Sequence, residues 1–263
     1  MKKRHGVLLV LVVSCGQKRA EHSPSERQPA PQVVAARPAN AVHSAARYTS
    51  GDRLENGPND TLHVGSLVLQ LLPGNKRDFA KVLIRQLPFS EARAIRQAGD
   101  GRVRRIGHTL LVRPFNGPVL RFSDNTHQMR RDDNEEMDSH CQFSGSVPGR
   151  PYWVVDSLQW ERYQPFLVNK NSGRATLLSW EPEISPNRRF LFVGTPGLEL
   201  ESSLNGLELL AISDQEVRLV WTKVLRNWQP HQVRWLDNHT LAIEQLRFQP
   251  QEHTTYVRLL LPN

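Results

Sequence analysis

The 263-residue chain has two cysteines, Cys15 and Cys141, too few to build a disulfide scaffold. No apolar run approaches the roughly 18 residues that a membrane-spanning helix needs. Lysine is scarce, at seven of the 34 basic residues, so the formal net charge of +8 is carried mainly by arginine. The densest basic cluster, Arg102, Arg104 and Arg105, has no interleaved aromatic residue to stack on bases, and no nucleic-acid partner is expected. Local catalytic motifs are missing too. There is no Walker-type GK[ST], no HExxH and no G-x-S-x-G elbow. Gly99-Asp100-Gly101 opens like a dinucleotide fingerprint, but Arg104 holds the final glycine place. No cofactor and no metal is therefore expected, and any catalysis would have to be assembled from distant strands.

What is present begins with an address. Lys2, Lys3 and Arg4 form a positive segment, Val7 to Val13 is unbroken apolar sequence, and Ser14 is a small residue at a cleavage point. That is the layout of an export signal. The tetrapeptide Val12-Val13-Ser14-Cys15 resembles the lipobox of bacterial lipoproteins. The resemblance implies that the Cys15 thiol receives a diacylglycerol group with fatty chains such as palmitate. It also implies that residues 1–14 are removed and that the mature chain is anchored in the cell envelope, on an outer or cytoplasmic membrane. Multiple acyl chains make a stable anchor, because each buried methylene contributes about 0.8 kcal/mol and a single chain binds only reversibly. Residues 15–59 then read as a disordered tether, with Pro24, Pro29, Pro31, Pro38 and Pro58 and no sustained apolar period.

Residues 60–263 read as the folded part. Leu62, Val64, Leu67, Leu69 and Leu71 suggest one early strand closed by Pro73-Gly74. Phe79 to Leu87 is apolar sequence compatible with strand or helix. A short helix is expected near 90–98, with Ser90 as N-cap and Gly99 as its end. Beyond it, strand signals dominate. Apolar runs flank Asn116-Gly117, Asn171-Ser172-Gly173 and Ser213-Asp214-Gln215, which predicts hairpins over 109–122, 166–180 and 209–221. Two further segments, ISPNRRFLFV and WLDNHTLAIE, place a turn on Asn187 or Asn238 before an alternating strand. The spacings are 56 from Gly117 to Gly173, 41 from Trp180 to Trp221 and 51 from Asn187 to Asn238.

Repeats of this length suit propeller blades, because a lone sheet cannot bury both faces and stacked sheets can. SPNRRFLFV resembles the SPDG blade segment of TolB/WD40-like β-propellers, with Asn187 in the Asp place and Arg188 in the Gly place. The expected fold is thus all-β, mainly antiparallel and β-propeller-like, with four or five irregular blades. The resemblance implies a fold and an envelope location, not an activity.

All six tryptophans fall after residue 150. Most are expected to pack between sheets, while Trp160 and Trp228, set among polar neighbours in QWERYQ and NWQPHQ, are the candidates for an exposed binding platform. Asp132, Asn134, Glu136 and Asp138 alternate like half a calcium loop, but Met137 stands where glycine is needed and Phe143 where Glu is needed. They read as a solvated acidic loop. His140-Cys141 lacks a second pair of soft ligands, and Cys141 reads as a small buried hydrophobe. The expectation is a lipid-anchored envelope protein with a non-catalytic β-rich domain that binds a protein, a peptide or a glycan. The alternative is a secreted hydrolase of envelope polymers using carboxylates such as Asp132, Asp138 or Asp156.

The lipobox makes a direct prediction. Cells producing the chain and fed labelled palmitate should label it, and Cys15→Ser should abolish the label. A full-length, unlabelled wild-type product would contradict the assignment.

Overall fold

The computed structural model describes residues 57–80, 89–125, 139–159, 162–197, 205–248 and 251–262. Cys15, Trp160, Asp132 and Asp138 lie outside them, as do most of the apolar segment 79–87 and the whole acidic run. The described residues form four antiparallel sheets and two short helices.

The early apolar segment is two strands rather than one. β1 (Asp60–Val64) turns at Gly65-Ser66 into β2 (Leu67–Pro73), with Val64 opposite Leu67. The buried set changes parity across this two-residue turn, from Leu62 and Val64 to Leu69 and Leu71, because Leu62 stands opposite Leu69 with both facing one core. α1 (Arg77–Ala80) follows. α2 (Glu91–Ala98) lies where it was expected and stops at Gly99 in the left-handed conformation. Ser90 precedes it, but its side chain makes no capping hydrogen bond.

β3 (Val103–Ile106), β4 (Thr109–Val112) and β5 (Leu120–Ser123) form a three-stranded meander. β6 (Ser139–Ser146), β7 (Tyr152–Gln159), β8 (Arg162–Asn169) and β9 (Ala175–Leu177) form the next sheet. β10 (Pro182–Ile184), β11 (Phe190–Thr195), β12 (Gly206–Ile212) and β13 (Val217–Val224) form the third. β14 (Gln229–Trp235), β15 (Thr240–Arg247) and β16 (His253–Leu260) meander likewise, and β2 joins β16 so that this sheet gains β1 and β2. The three expected hairpins are β4–β5, β8–β9 and β12–β13. β11 and β15, the strands after Asn187 and Asn238, are each the second strand of their meander.

Burial follows the sheets. Leu191 and Val193 of β11 join one apolar cluster with Tyr152 and Leu167, whereas Phe192 points the other way into a cluster with Leu241, Val257 and Trp228. Trp153 and Val155 of β7 face Val103, Leu110 and Phe122 in a third cluster. The two inner sheets therefore bury both faces, which explains runs such as FLFV and LELLAI. Each buried Leu or Val contributes roughly 1.5–3 kcal/mol. Among the described residues, no apolar cluster joins the three-stranded sheet to the five-stranded one.

Turns at one end of the sheets stitch neighbours together. The Phe115 and Asn116 amides donate to the Lys170 and Asn171 carbonyls, both at 2.7 Å. Asn169 accepts the Asn171 and Ser172 amides and donates to the Asp214 carbonyl at 2.9 Å. Arg150 donates to the Arg188 carbonyl at 2.6 Å and pairs with Asp214 at 2.8 Å. Finally, Asn238 Oδ1 accepts the Asn187 amide at 2.9 Å. The glycines of the first two turns are required twice over. Gly117 and Gly173 have φ of 117° and 75°, and a Cβ on either would sit 2.8 Å from Ser172 O or 2.7 Å from Pro114 Cγ. Arg188, in the glycine place of the SPNRR turn, adopts φ 59°, a conformation that costs a non-glycine residue about 1–2 kcal/mol.

Between the three-stranded sheet and its neighbour sits a charged hub. Arg105 pairs with Glu91 at 2.6 Å and Asp124 at 3.0 Å, and also donates to the Cys141 carbonyl. Glu91 in turn accepts the Phe143 amide at 2.8 Å, so the acidic first turn of α2 fastens the helix to β6. Only 7% of the Asp124 side chain is exposed. Arg105→Met strands these carboxylates, and is expected to cost about 3 kcal/mol in urea denaturation. Arg105→Lys should recover part of the loss. An Arg105→Met variant as stable as the wild type would contradict the role of the hub.

Candidate functional site

The first strands of three successive meanders, β6, β10 and β14, border one set of adjoining cavities. The largest, about 590 Å³, is lined by Trp180, Glu181, Glu183, His231, Arg234 and Trp235. A second of about 450 Å³ lies against Phe89, Gln142, Asp156, Tyr163 and Trp180. A third of about 190 Å³ reaches from Ser144 and Asp156 to Pro182 and Leu191. Trp180 or Glu181 borders each of them, so the three form one open groove.

Its chemistry is acidic and aromatic. Tyr163 packs against Trp180 edge-on, with ring centroids 5.1 Å apart. The Tyr163 hydroxyl donates to Asp156 Oδ1 at 2.9 Å, and Ser144 Oγ donates to Asp156 Oδ2. Both oxygens of this buried carboxylate are therefore held in place. Burial, then the negative charge of Asp156, pushes the Tyr163 phenol well up, so it stays a donor. Glu181 and Glu183 are two residues apart along β10 and its approach, which puts both on one side of the strand. Burial, and then Asp156, raises Glu181. Crowding by the groove walls, and then Glu181, raises Glu183 to about 7 against the opposing pull of Arg234, although Glu183 remains exposed to water. Arg234 is steadied by the Phe79 carbonyl at 3.3 Å, and Trp235 Nε1 donates to the Glu183 carbonyl at 3.0 Å, tying β14 to β10. Among the described residues, no group of three or more His, Cys, Asp or Glu is placed to hold a metal ion.

Of the residues singled out from sequence, Asp156 lies in the groove, while Asp132, Asp138, Trp160 and Cys15 fall outside the described residues. Trp228 corrects the expectation of an exposed ring, for only 1% of it is accessible. Asn205 Nδ2 donates to its carbonyl at 2.9 Å, and its ring joins the cluster of Phe192, Leu207 and Leu241. Trp153, Trp221 and Trp235 are buried as expected, and Trp180 is the half-exposed ring that the groove uses. Cys141 is buried, and burial raises its thiol pKa. His140 lies beside Asp124 at 3.2 Å. Glu181 and Glu183 were not singled out. The signal was the Trp-Glu-Pro-Glu sequence, in which a proline separates two carboxylates at strand spacing.

Compared with protein-family models, with curated proteins and with solved structures, the chain matches none.

Between pH 4.5, the ordinary value for Glu, and about 7, the folded chain holds a proton at Glu183 that the unfolded chain has lost. Stability should therefore fall as pH rises through that window. Glu183→Gln removes the penalty. The variant should unfold at a higher urea concentration than the wild type above pH 7, by a small margin because the groove is open to water, and equally below pH 4.5. A difference independent of pH would contradict the assignment.

Proposed function

We propose that the chain is a lipid-anchored protein of the bacterial cell envelope. Its β-rich domain is a propeller-like binding module, and a protein, peptide or glycan occupies the groove along β6, β10 and β14. The observation that carries this reading is the groove itself: three first strands border it, Trp180 offers a half-exposed face, and Asp156, Glu181 and Glu183 supply acceptors. A large aromatic face beside fixed acceptors suits a ligand with apolar surfaces and N–H or O–H donors. The propeller-like arrangement is supported by four consecutive meanders and by the pairing of β2 with β16, which brings the start of the folded part into the last sheet. The lipid anchor rests on the lipobox residues alone.

A second reading, hydrolysis by paired carboxylates, is favoured by one observation. Glu183 is raised to about 7 in the groove that also holds Asp156 and Glu181, and a neutral acid beside a carboxylate is what glycoside cleavage requires. Synthetic peptides and envelope-glycan fragments, titrated against tryptophan fluorescence, separate the readings. A binding module shows saturable quenching that disappears in Trp180→Phe and leaves the ligand intact. Cleaved product that vanishes in Glu183→Gln would establish hydrolysis instead. No response from either ligand class would overturn the groove as the site.

A further inference from the structure

We propose that the outward face of the β3–β4–β5 sheet is a docking surface for an anionic lipid bilayer, separate from any acyl anchor. Strand alternation sends Val103, Leu110, Val112, Leu120 and Phe122 into the core. The register then aligns Arg104, Leu111 and Arg121 in one outward row, with Ile106, Thr109 and Ser123 in another. Arg113 extends the face beyond β4. Arg104, Arg113 and Arg121 are all exposed. With strands about 4.8 Å apart, Arg104 and Arg121 stand about 10 Å from each other across the sheet.

Among the described residues, no carboxylate neutralises them. The three strands, VRRI, TLLV and LRFS, contain no carboxylate. Asp124 is engaged inward by Arg105, and Asp100 pairs with Arg102 at 3.5 Å. Among the described residues no carboxylate pairs with Arg104, Arg113 or Arg121. Arg104 Nε donates to the Gly101 carbonyl at 2.8 Å, which orients its guanidinium.

Leu111 stands between Arg104 and Arg121, and exposed apolar side chains flank the row. Ile106 is 64% exposed and Phe115 54%, with the Arg102 guanidinium 4.0 Å over the Phe115 ring. Arginines interleaved with protruding apolar groups match the boundary between lipid headgroups and acyl chains. Nucleic acid fits less well, because the one exposed ring here is already covered by an arginine. The proposal rests on this face alone, so it is tested on a chain that cannot be acylated.

The test uses the full chain carrying Cys15→Ser, with flotation on phosphatidylcholine vesicles with and without phosphatidylglycerol. The expected result is binding to the anionic vesicles only, weakened by high salt. Adding Arg104→Gln, Arg113→Gln and Arg121→Gln should reduce partitioning roughly a hundredfold while leaving the urea midpoint unchanged. Arg218→Gln with Lys223→Gln, on β13 of another sheet, should have little effect. Equal binding to neutral vesicles, retention of binding by the triple variant, or equal loss in the control pair would overturn the proposal. So would displacement from vesicles by stoichiometric duplex DNA, which would assign the face to nucleic acid.

Discussion

Hydrogen bonds between turns fix how the four sheets lie on one another. An apolar core is non-directional and tolerates sliding, whereas a bond from the Asn187 amide to Asn238 Oδ1 specifies one placement. The same holds for Phe115 and Asn116 against Lys170 and Asn171, and for Asn169 and Arg150 against the Asp214 and Arg188 turns. Each bond contributes only about 1 kcal/mol net. Their effect is selective: they choose one arrangement among those the buried leucines and valines would accept. The groove depends on that choice, because its walls come from β6, β10 and β14 of three different sheets.

Much of this was legible because the turns carry strong local signals. Asn-Gly and Asn-Ser-Gly mark chain reversals by themselves, and Gly117 and Gly173 are also where two turns touch. Arg188 was visible as an arginine in a glycine place, and its positive φ follows from that place. The helix at 91–98 was readable from Ser90 and Gly99, but the partner of Glu91 was not. Arg105 is fourteen residues away on a strand, and only the fold brings the two together.

What sequence could not reach depends on which sheet covers which. Trp228 sits among polar letters, yet just before β14 its ring is enclosed in a cluster with Phe192 and Leu207 of the β10–β13 sheet. Trp180 has similarly polar neighbours but stands where first strands part, and it stays half-exposed. The β1–β2 turn is marked only by a one-residue change of phase across Gly65-Ser66, from Leu62 and Val64 to Leu69 and Leu71. Glu181 and Glu183 gain meaning only beside Asp156, which another sheet supplies. The net charge of +8 is likewise uninformative about place: the groove gathers carboxylates, while one sheet face gathers arginines.

The role of the turns is tested most directly by amide hydrogen exchange. Phe115, Asn116 and Asn187 are exposed turn residues, whose amides exchange rapidly unless bonded. The interlocked turns predict that all three are protected, and that Asn238→Ala releases Asn187 while Phe115 and Asn116 stay protected. Exchange of the three wild-type amides at the rate of a free loop would contradict the account.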